Sequence, residues 1–341
     1  MYCNPTIAEY NRNIEFVERG KNMVGLEKLK SEFWDGKYQE KDYCFDEEGI
    51  EIAVKRALRD FTDRTEKLKP DSGYKSFGVE EKFKVLCGTD GKEYNVPKGG
   101  SFVQKFIDYF FKDPVKLKSQ KDFDDWHKEM CEEFLAVIGP KYQGGLKYGK
   151  AQKIVNMTFK NAYCLKNKVN SKFTNCDKYY EYCHMPLDSL TLEWFTRTQI
   201  WLKSDWLHLK KNDKFFLKGE MPESWSKMEE DSKADDKFGY ETIQNRIRTY
   251  LKDYADKNKS TDQLQGYTPL QAEFFVWKNI QLELAAEGVY NKLFDFKADN
   301  EVTKEDFKRK TLEEKLESLK EILNSLNFDE IQNQGSIPKF V

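Results

Sequence analysis

Ligands for a metal ion are scarce in this chain. It has three histidines and seven cysteines in 341 residues, and no two cysteines form a Cys-x-x-Cys pair. Four soft ligands fall close together, at Cys164, Cys176, Cys183 and His184, but their spacing fits none of the usual zinc patterns, so a zinc site is the less favoured alternative. We expect no bound metal, and the odd number of scattered cysteines indicates a reduced, cytoplasmic protein.

Long apolar runs and nucleotide-binding loops are also absent. No stretch approaches the ~18 consecutive apolar residues that a membrane-spanning helix needs, and residues 1–20 contain no apolar signal region. The chain has neither Gly-x-x-x-x-Gly-Lys-Ser/Thr nor Gly-x-Gly-x-x-Gly, the loops that cradle phosphates in nucleotide-dependent enzymes. We therefore expect no membrane span, no nucleotide cofactor and no other cofactor.

Acidic residues are missing from one long stretch. Residues 141–175 contain eight lysines and no Asp or Glu, although the whole chain carries 59 acidic and 57 basic residues and a net charge of −2. An average stretch of this length would hold about six acidic residues. Exclusion of negative charge favours contact with phosphates, so we expect a basic face that binds nucleic acid. The alternative is a solvated, lysine-rich helix surface.

Helical patterns dominate the sequence and predict a mainly α-helical protein. Its length allows two lobes, and we expect a cleft between them. Ser101 and Thr268 stand where helix N-caps are expected, and Gln271 follows Thr268 as in a capping box. We divide the chain into N-terminal helices with a small β element (1–100), a helical core (101–300), and an amphipathic helix with a tail, residues 301–341.

Two smaller elements complete the predicted fold. The runs Phe83–Leu86 and 94–96 flank Gly88-Thr89-Asp90-Gly91, which predicts a small β-hairpin. Near the C-terminus, leucines recur on one face of an otherwise charged segment, which predicts an amphipathic surface helix. The leucines of this stripe are Leu312, Leu316, Leu319, Leu323 and Leu326.

Two elements in or near the basic stretch carry candidate chemistry. From Ala151 onward, apolar residues recur at helical spacing, with Lys153, Asn156 and Lys160 along the neighbouring edge. A desolvated lysine can act as a nucleophile, although most lysines at such an edge extend to solvent instead. Asp188 immediately precedes an apolar helix. Its carboxylate either only caps that helix or is held ionised to stabilise a developing cation or to orient a water.

The order of these two elements resembles that of a known superfamily. A glycine-containing turn leads into a lysine on an apolar helix in Gly145-Leu146-Lys147-Tyr148-Gly149-Lys150-Ala151-Gln152-Lys153-Ile154-Val155, and Pro186-Leu187-Asp188 opens a later helix. This arrangement is similar to that of the helix-hairpin-helix DNA glycosylases, and most similar to their archaeal 8-oxoguanine branch. The resemblance covers about a sixth of the chain. It implies Lys153 as the nucleophile, with Lys150 as its rival, and Asp188 as the assisting carboxylate.

The resemblance also implies which residues meet DNA. The partner is double-stranded DNA with an extruded base, which such an enzyme must remove from the stack before it can act. The residues implied to bind DNA along the hairpin and the helix edge are Lys147, Gly149, Lys150, Asn156 and Lys160. The residues implied to line a base pocket are Trp194, Trp201 and His184.

The sequence thus predicts an enzyme that hydrolyses the N-glycosidic bond of a modified or damaged base, with abasic-site lyase activity if Lys153 is a nucleophile. The excised base belongs either to damaged host DNA or to the modified DNA of an invading phage, and the chain does not distinguish the two. One alternative is a non-catalytic protein that binds nucleic acid through residues 141–175. Another is an adaptor that uses the leucine stripe and has no affinity for nucleic acid.

Overall fold

The computed structural model describes residues 25–38, 43–61, 67–89, 100–112, 119–197, 225–228, 239–257, 264, 266–294, 303–310 and 312–325. The prediction of a mainly helical protein is confirmed, because the described residues form eleven α-helices and no sheet. The helices are α1 Leu26–Tyr38, α2 Glu47–Arg59, α3 Val79–Cys87, α4 Phe102–Phe111, α5 Gln120–Ile138, α6 Tyr148–Tyr163, α7 Ser189–Arg197, α8 Tyr240–Lys257, α9 Pro269–Phe294, α10 Lys304–Arg309 and α11 Leu312–Ser325.

Local chemistry explains where several helices begin. Ser101 caps α4 by accepting a hydrogen bond from the Gln104 N–H, at 3.2 Å. At the start of α9, the Thr268 hydroxyl accepts from the Gln271 N–H at 3.3 Å, and the Gln271 side chain accepts from the Thr268 N–H at 3.1 Å. This reciprocal pair is a capping box, which satisfies two N–H groups that a helix start otherwise leaves unpaired. Both predicted caps are confirmed.

The predicted β-hairpin is wrong in its first strand. Phe83–Leu86 lies within α3, which ends at Gly88 in the left-handed conformation with φ of 69°. A glycine adopts this conformation at little cost and is therefore a helix terminator as readily as a hairpin residue. The apolar run is too short to distinguish a strand from a buried helix turn. The second predicted strand, 94–96, lies outside the described residues.

The chain divides into two compact units. One unit is Lys30–Phe274, and the other contains the described residues of Met1–Leu29 and Phe275–Val341. The three segments predicted from the sequence, 1–100, 101–300 and 301–341, stay a prediction. In the larger unit, α6 packs against α2, α5 and the 3-10 turn Trp225–Lys227. Rings from α4, α5 and α6 form an aromatic core beside it that includes Phe106, Phe110, Phe123, Trp126 and Phe159.

The smaller unit contains the predicted leucine stripe, of which Leu312, Leu316, Leu319 and Leu323 lie in α11, while Leu326 lies outside the described residues. Within α11, Leu316 and Leu319 are buried, and Leu316 packs with Leu282 of α9. Lys315 is also buried and forms ion pairs with Glu283 and Glu287, at 3.0 and 2.9 Å. Leu316 of the stripe is thus covered by α9. None of the helices in the described part of the chain is long and apolar enough to cross a membrane.

Candidate active site

Helix α6 carries most of the candidate residues, and all sixteen of its residues are buried. It begins after a turn in which Gly144 and Gly145 have φ of 78° and 73°, the left-handed region that glycine adopts readily. Helix α5 is followed along the chain by the 3-10 turn Gly139–Lys141, this glycine turn and α6. Polar side chains on a helix with no exposed face must find partners inside the protein. Those partners reveal the site.

The structure brings Lys153 and Asp188 together across 35 positions of sequence. The Lys153 ammonium nitrogen lies 2.7 Å from Asp188 Oδ2. The two side chains are 9% and 15% exposed, so the ion pair is largely withdrawn from water. A buried pair of this kind is costly to form unless its remaining hydrogen-bonding groups are also satisfied.

The second oxygen of Asp188 is satisfied by the start of α7. Asp188 Oδ1 accepts hydrogen bonds from the N–H groups of Leu190 and Thr191, at 2.9 and 3.0 Å. In return, the Asp188 N–H donates to the Thr191 hydroxyl, at 2.7 Å. Asp188 is therefore the N-cap of α7, as predicted. Its Oδ1 accepts hydrogen bonds from the start of the helix, and its Oδ2 accepts one from Lys153. The helix dipole at this end adds to the stabilisation of negative charge.

These contacts keep the carboxylate ionised. Burial by itself would raise the pKa of Asp188. The Lys153 charge, the hydrogen bond from Lys153 and the Thr191 N–H together outweigh burial and hold the pKa of Asp188 below its usual value. At neutral pH the site therefore presents a fixed anion beside Lys153.

A short segment covers the N-terminal end of α6. We call residues 225–228 the covering segment. The Gly149 N–H donates to the Met228 carbonyl at 2.9 Å, and a Cβ on Gly149 would lie 1.6 Å from the Trp225 carbonyl oxygen, so only glycine fits there. The Trp225 ring is half-buried, and its centroid is 5.9 Å from the Lys153 nitrogen. An aromatic face thus lies beside the candidate nucleophile.

Four of the five residues implied to bind DNA are buried instead: Gly149, whose N–H is bonded to the covering segment, and three polar side chains. Lys150 lies under the covering segment, with its nitrogen 5.1 Å from the Phe61 ring centroid. Lys160 forms a buried ion pair with Glu273 of α9. Asn156 has no exposed surface and hydrogen-bonds other side chains of the core. Contact between these three side chains and a phosphate would require the core to open.

The other predicted site residues are spread more widely. Lys147 is exposed at the N-terminal end of α6. Trp194 is buried on α7, with its ring 6.0 Å from the Tyr250 ring in an edge-on arrangement. Trp201 lies outside the described residues.

His184 belongs to a buried polar network rather than to an open pocket. Its Nε2 lies 2.6 Å from Asp124 Oδ1 and its Nδ1 lies 2.7 Å from the Tyr240 hydroxyl. Arg248 donates to the other oxygen of Asp124, at 3.3 Å. Burial lowers the pKa of His184, although its bond to Asp124 opposes this effect. The ring is therefore neutral at pH 7, with its proton on Nε2 because a carboxylate only accepts.

Sequence reasoning missed three residues next to the site. Gln152 and Gln244 bind the backbone of the segment that leads to Asp188, and Trp225 covers Lys153. Gln152 had one available signal, which is its position beside Lys153 in a helix predicted to be buried. For Gln244 and Trp225 the contacts depend on tertiary structure alone.

Comparison with protein-family models, with curated proteins and with solved structures finds no match for this chain. Among the described residues, no three His, Cys, Asp or Glu side chains converge as a potential metal site. The chemistry of the site therefore has to be inferred from the lysine, the carboxylate and their surroundings.

Proposed function

We propose that this protein is a DNA glycosylase in which Asp188 and Lys153 form the catalytic pair. The observation that carries the proposal is the 2.7 Å contact between these two side chains, which are 35 positions apart and share a largely buried site. A structural helix cap needs no lysine, and a lysine kept only for solubility would not be buried. The order of α5, the glycine turn and α6 supports the resemblance to the helix-hairpin-helix superfamily.

The proposed reaction follows from the charges. When the N-glycosidic bond breaks, its electron pair leaves with the base and positive charge develops on the sugar. A carboxylate held ionised by Lys153 and the start of α7 stabilises that charge without having to reorganise. In hydrolysis, the oxygen of a water then bonds to the sugar carbon, and Asp188 accepts the proton that the water loses.

Lyase activity would need Lys153 as the nucleophile. Its nitrogen must first lose a proton, and Asp188 Oδ2 lies close enough to accept it. The neutral amine then bonds to the sugar carbon as the base departs. If Lys153 remains protonated throughout, the enzyme is monofunctional, and the lysine only orients and stabilises the carboxylate.

The proposed substrate is double-stranded DNA with an extruded base. Trp225 is an aromatic ring beside Lys153, and exposed Lys147 lies at the same end of α6. Stacking on an aromatic ring and contact with a lysine are two of the interactions that hold an extruded nucleotide. A cytoplasmic location suits either repair of the cell's own DNA or defence against phage DNA that carries modified bases.

The test is release of bases from DNA. Genomic DNAs that carry different modifications are incubated with wild type, Asp188→Asn and Lys153→Gln, and the products are scored as freed bases and alkali-labile sites. We expect release by wild type and a loss of about 10²–10³-fold in Asp188→Asn, the range measured when one electrostatic contact to a transition state is removed. Strand cleavage that persists in Lys153→Gln would exclude Lys153 as the nucleophile.

Lys121 and Asp125 provide a matched control. They form an ion pair at the same 2.7 Å distance on α5, but their side chains are 80% and 65% exposed. Asp125→Asn and Lys121→Gln should therefore release bases as the wild type does. No release by wild type from any of the DNAs would exclude the glycosylase function for those substrates and favour the alternative below.

The second candidate is a protein that binds nucleic acid without catalysis. It is favoured by the exposed lysines of residues 141–175, which are Lys147, Lys166, Lys168 and Lys172. Binding through them should weaken steeply with added salt. The double variant Lys166→Gln/Lys172→Gln should reduce that salt dependence, while Asp188→Asn should bind as tightly as the wild type.

A further inference from the structure

The segment that carries Asp188 is buried but has no regular structure of its own. Residues 183–187 are all buried and lie outside any helix or strand. A buried backbone still needs a partner for each N–H and C=O group. For Pro186 that partner is the Thr191 hydroxyl, which donates to its carbonyl at 3.0 Å. For Met185 and Leu187 the partners come from two other helices.

Two glutamine side chains make the backbone hydrogen bonds that a neighbouring strand would make in a sheet. Gln244 of α8 accepts from the Met185 N–H at 3.1 Å and donates to the Met185 carbonyl at 2.7 Å. Gln152 of α6 accepts from the Leu187 N–H at 3.4 Å and donates to the Leu187 carbonyl at 2.9 Å. A side-chain amide has one acceptor and one donor group, as a peptide does, so it can pair both groups of one residue.

The orientation of the Gln152 amide is determined by its surroundings. Its nitrogen faces two backbone carbonyls, those of Leu187 and Gly149, at 2.9 and 3.0 Å, and carbonyls cannot donate. Its oxygen must therefore accept from the Asn156 amide nitrogen, at 3.0 Å. The Asn156 oxygen then has to accept from His127 Nε2, at 2.9 Å. Each group has one consistent role, so a flipped amide would place donors against donors.

We propose that Gln152 and Gln244 are positioning residues that hold Met185–Leu187 and thereby place the Asp188 carboxylate against Lys153. Asn156 assists by fixing the orientation of the Gln152 amide. The consequence for catalysis rests on the proposed glycosylase function, whereas the positioning of the carboxylate does not. Neither glutamine needs to touch DNA.

The test replaces each glutamine by methionine, which has a similar shape but neither donates nor accepts a comparable hydrogen bond. Gln271→Met is the matched control, because Gln271 is also a buried glutamine that donates a hydrogen bond, to Tyr163, but it lies on α9. Hydrogen exchange measured by mass spectrometry on peptides that span 185–191 reports the positioning directly. Base release at saturating DNA reports its catalytic consequence.

In Gln152→Met we expect exchange across 185–191 to be at least about tenfold faster, because tenfold corresponds to loss of one hydrogen bond and this variant loses both of its bonds to Leu187. We also expect kcat to fall by about 100-fold with KM unchanged, because a small misplacement of a catalytic group lowers the rate and not the affinity for DNA. Gln244→Met should change both in the same direction, and it replaces Gln152→Met if that variant does not fold.

Exchange no faster in Gln152→Met and Gln244→Met than in Gln271→Met would overturn the proposal. Faster exchange with an unchanged kcat would overturn its catalytic part. If wild type releases no base from any DNA, the glycosylase function fails, and the exchange comparison alone then decides whether the glutamines hold the segment.

Discussion

Replacement of Asp188 by asparagine should cost much more stability than a surface substitution. Asparagine has nearly the same shape and is as good an N-cap as aspartate, so α7 keeps its cap and only the charge is lost. The Lys153 ammonium, in a side chain that is 9% exposed, is then left without its counter-ion. Removal of one partner from a buried ion pair lowers the free energy of unfolding by about 3–5 kcal/mol.

The pH dependence of this loss has a definite sign. Contacts with Lys153 and the Thr191 N–H, acting against burial, hold the pKa of Asp188 below its usual value, which is about 3.9 in an unfolded chain. The stabilisation is therefore complete above that unfolded value and disappears as the pH falls through the lower value of the folded protein. The difference between wild type and Asp188→Asn should be constant near neutral pH and should shrink below about pH 4.

Urea denaturation followed by circular dichroism measures this difference. Lys153→Met/Asp188→Asn should be more stable than Asp188→Asn alone, because the double variant leaves no unpaired charge. Asp125→Asn, in the exposed pair with Lys121, should unfold at the same urea concentration as the wild type. The reasoning is refuted if Asp188→Asn is as stable as the wild type. It is also refuted if the double variant loses as much free energy of unfolding as Lys153→Met and Asp188→Asn lose together.

Three further predictions concern the rest of the molecule. Gly149→Ala should lower the free energy of unfolding by about 1–3 kcal/mol, because the added Cβ would overlap the covering segment. Gly288→Ala in α9 should raise the free energy of unfolding by about 0.5–1 kcal/mol, because nothing lies within 4 Å of the added Cβ. Thr268→Ala should lower the free energy of unfolding by about 1 kcal/mol through loss of the α9 cap. Urea denaturation measures the stability of these three variants. Burial raises the pKa of the Cys183 thiol, so in the native protein iodoacetamide should alkylate exposed Cys176 and leave Cys183 unmodified, as mass spectrometry of the peptides can show.

The parts of the fold that depend on nearby residues were predictable. The caps at Ser101 and Thr268 involve residues three positions apart, so their sequence pattern nearly determines their geometry. The strand predicted at Phe83–Leu86 was wrong because this short apolar run fits both a strand and a helix turn. The packing that decides between the two involves residues distant in sequence. Local patterns thus predicted helix starts correctly, but they did not distinguish a short strand from a helix turn.

The site was predictable where a motif carried the information and not where contacts were distant. The resemblance singled out Lys153 and Asp188, which the structure brings together. The sequence did not predict the burial of Lys150 and Lys160. A lysine is buried only when partners contact it, and the partner of Lys160 is Glu273. No local pattern indicates a partner 113 positions away. Gln244 was missed for the same reason, since it meets Met185 only in the folded chain.

The complete burial of α6 has a consequence for how this protein can evolve. Every position of the helix is constrained by its neighbours, so relatives should preserve the whole helix whether or not each residue takes part in a reaction. Invariance along α6 would then say little about catalysis. Covariation would say more, because a lineage without the proposed chemistry would be free to exchange Lys153 and Asp188 together for an apolar pair, while Gly149 would stay.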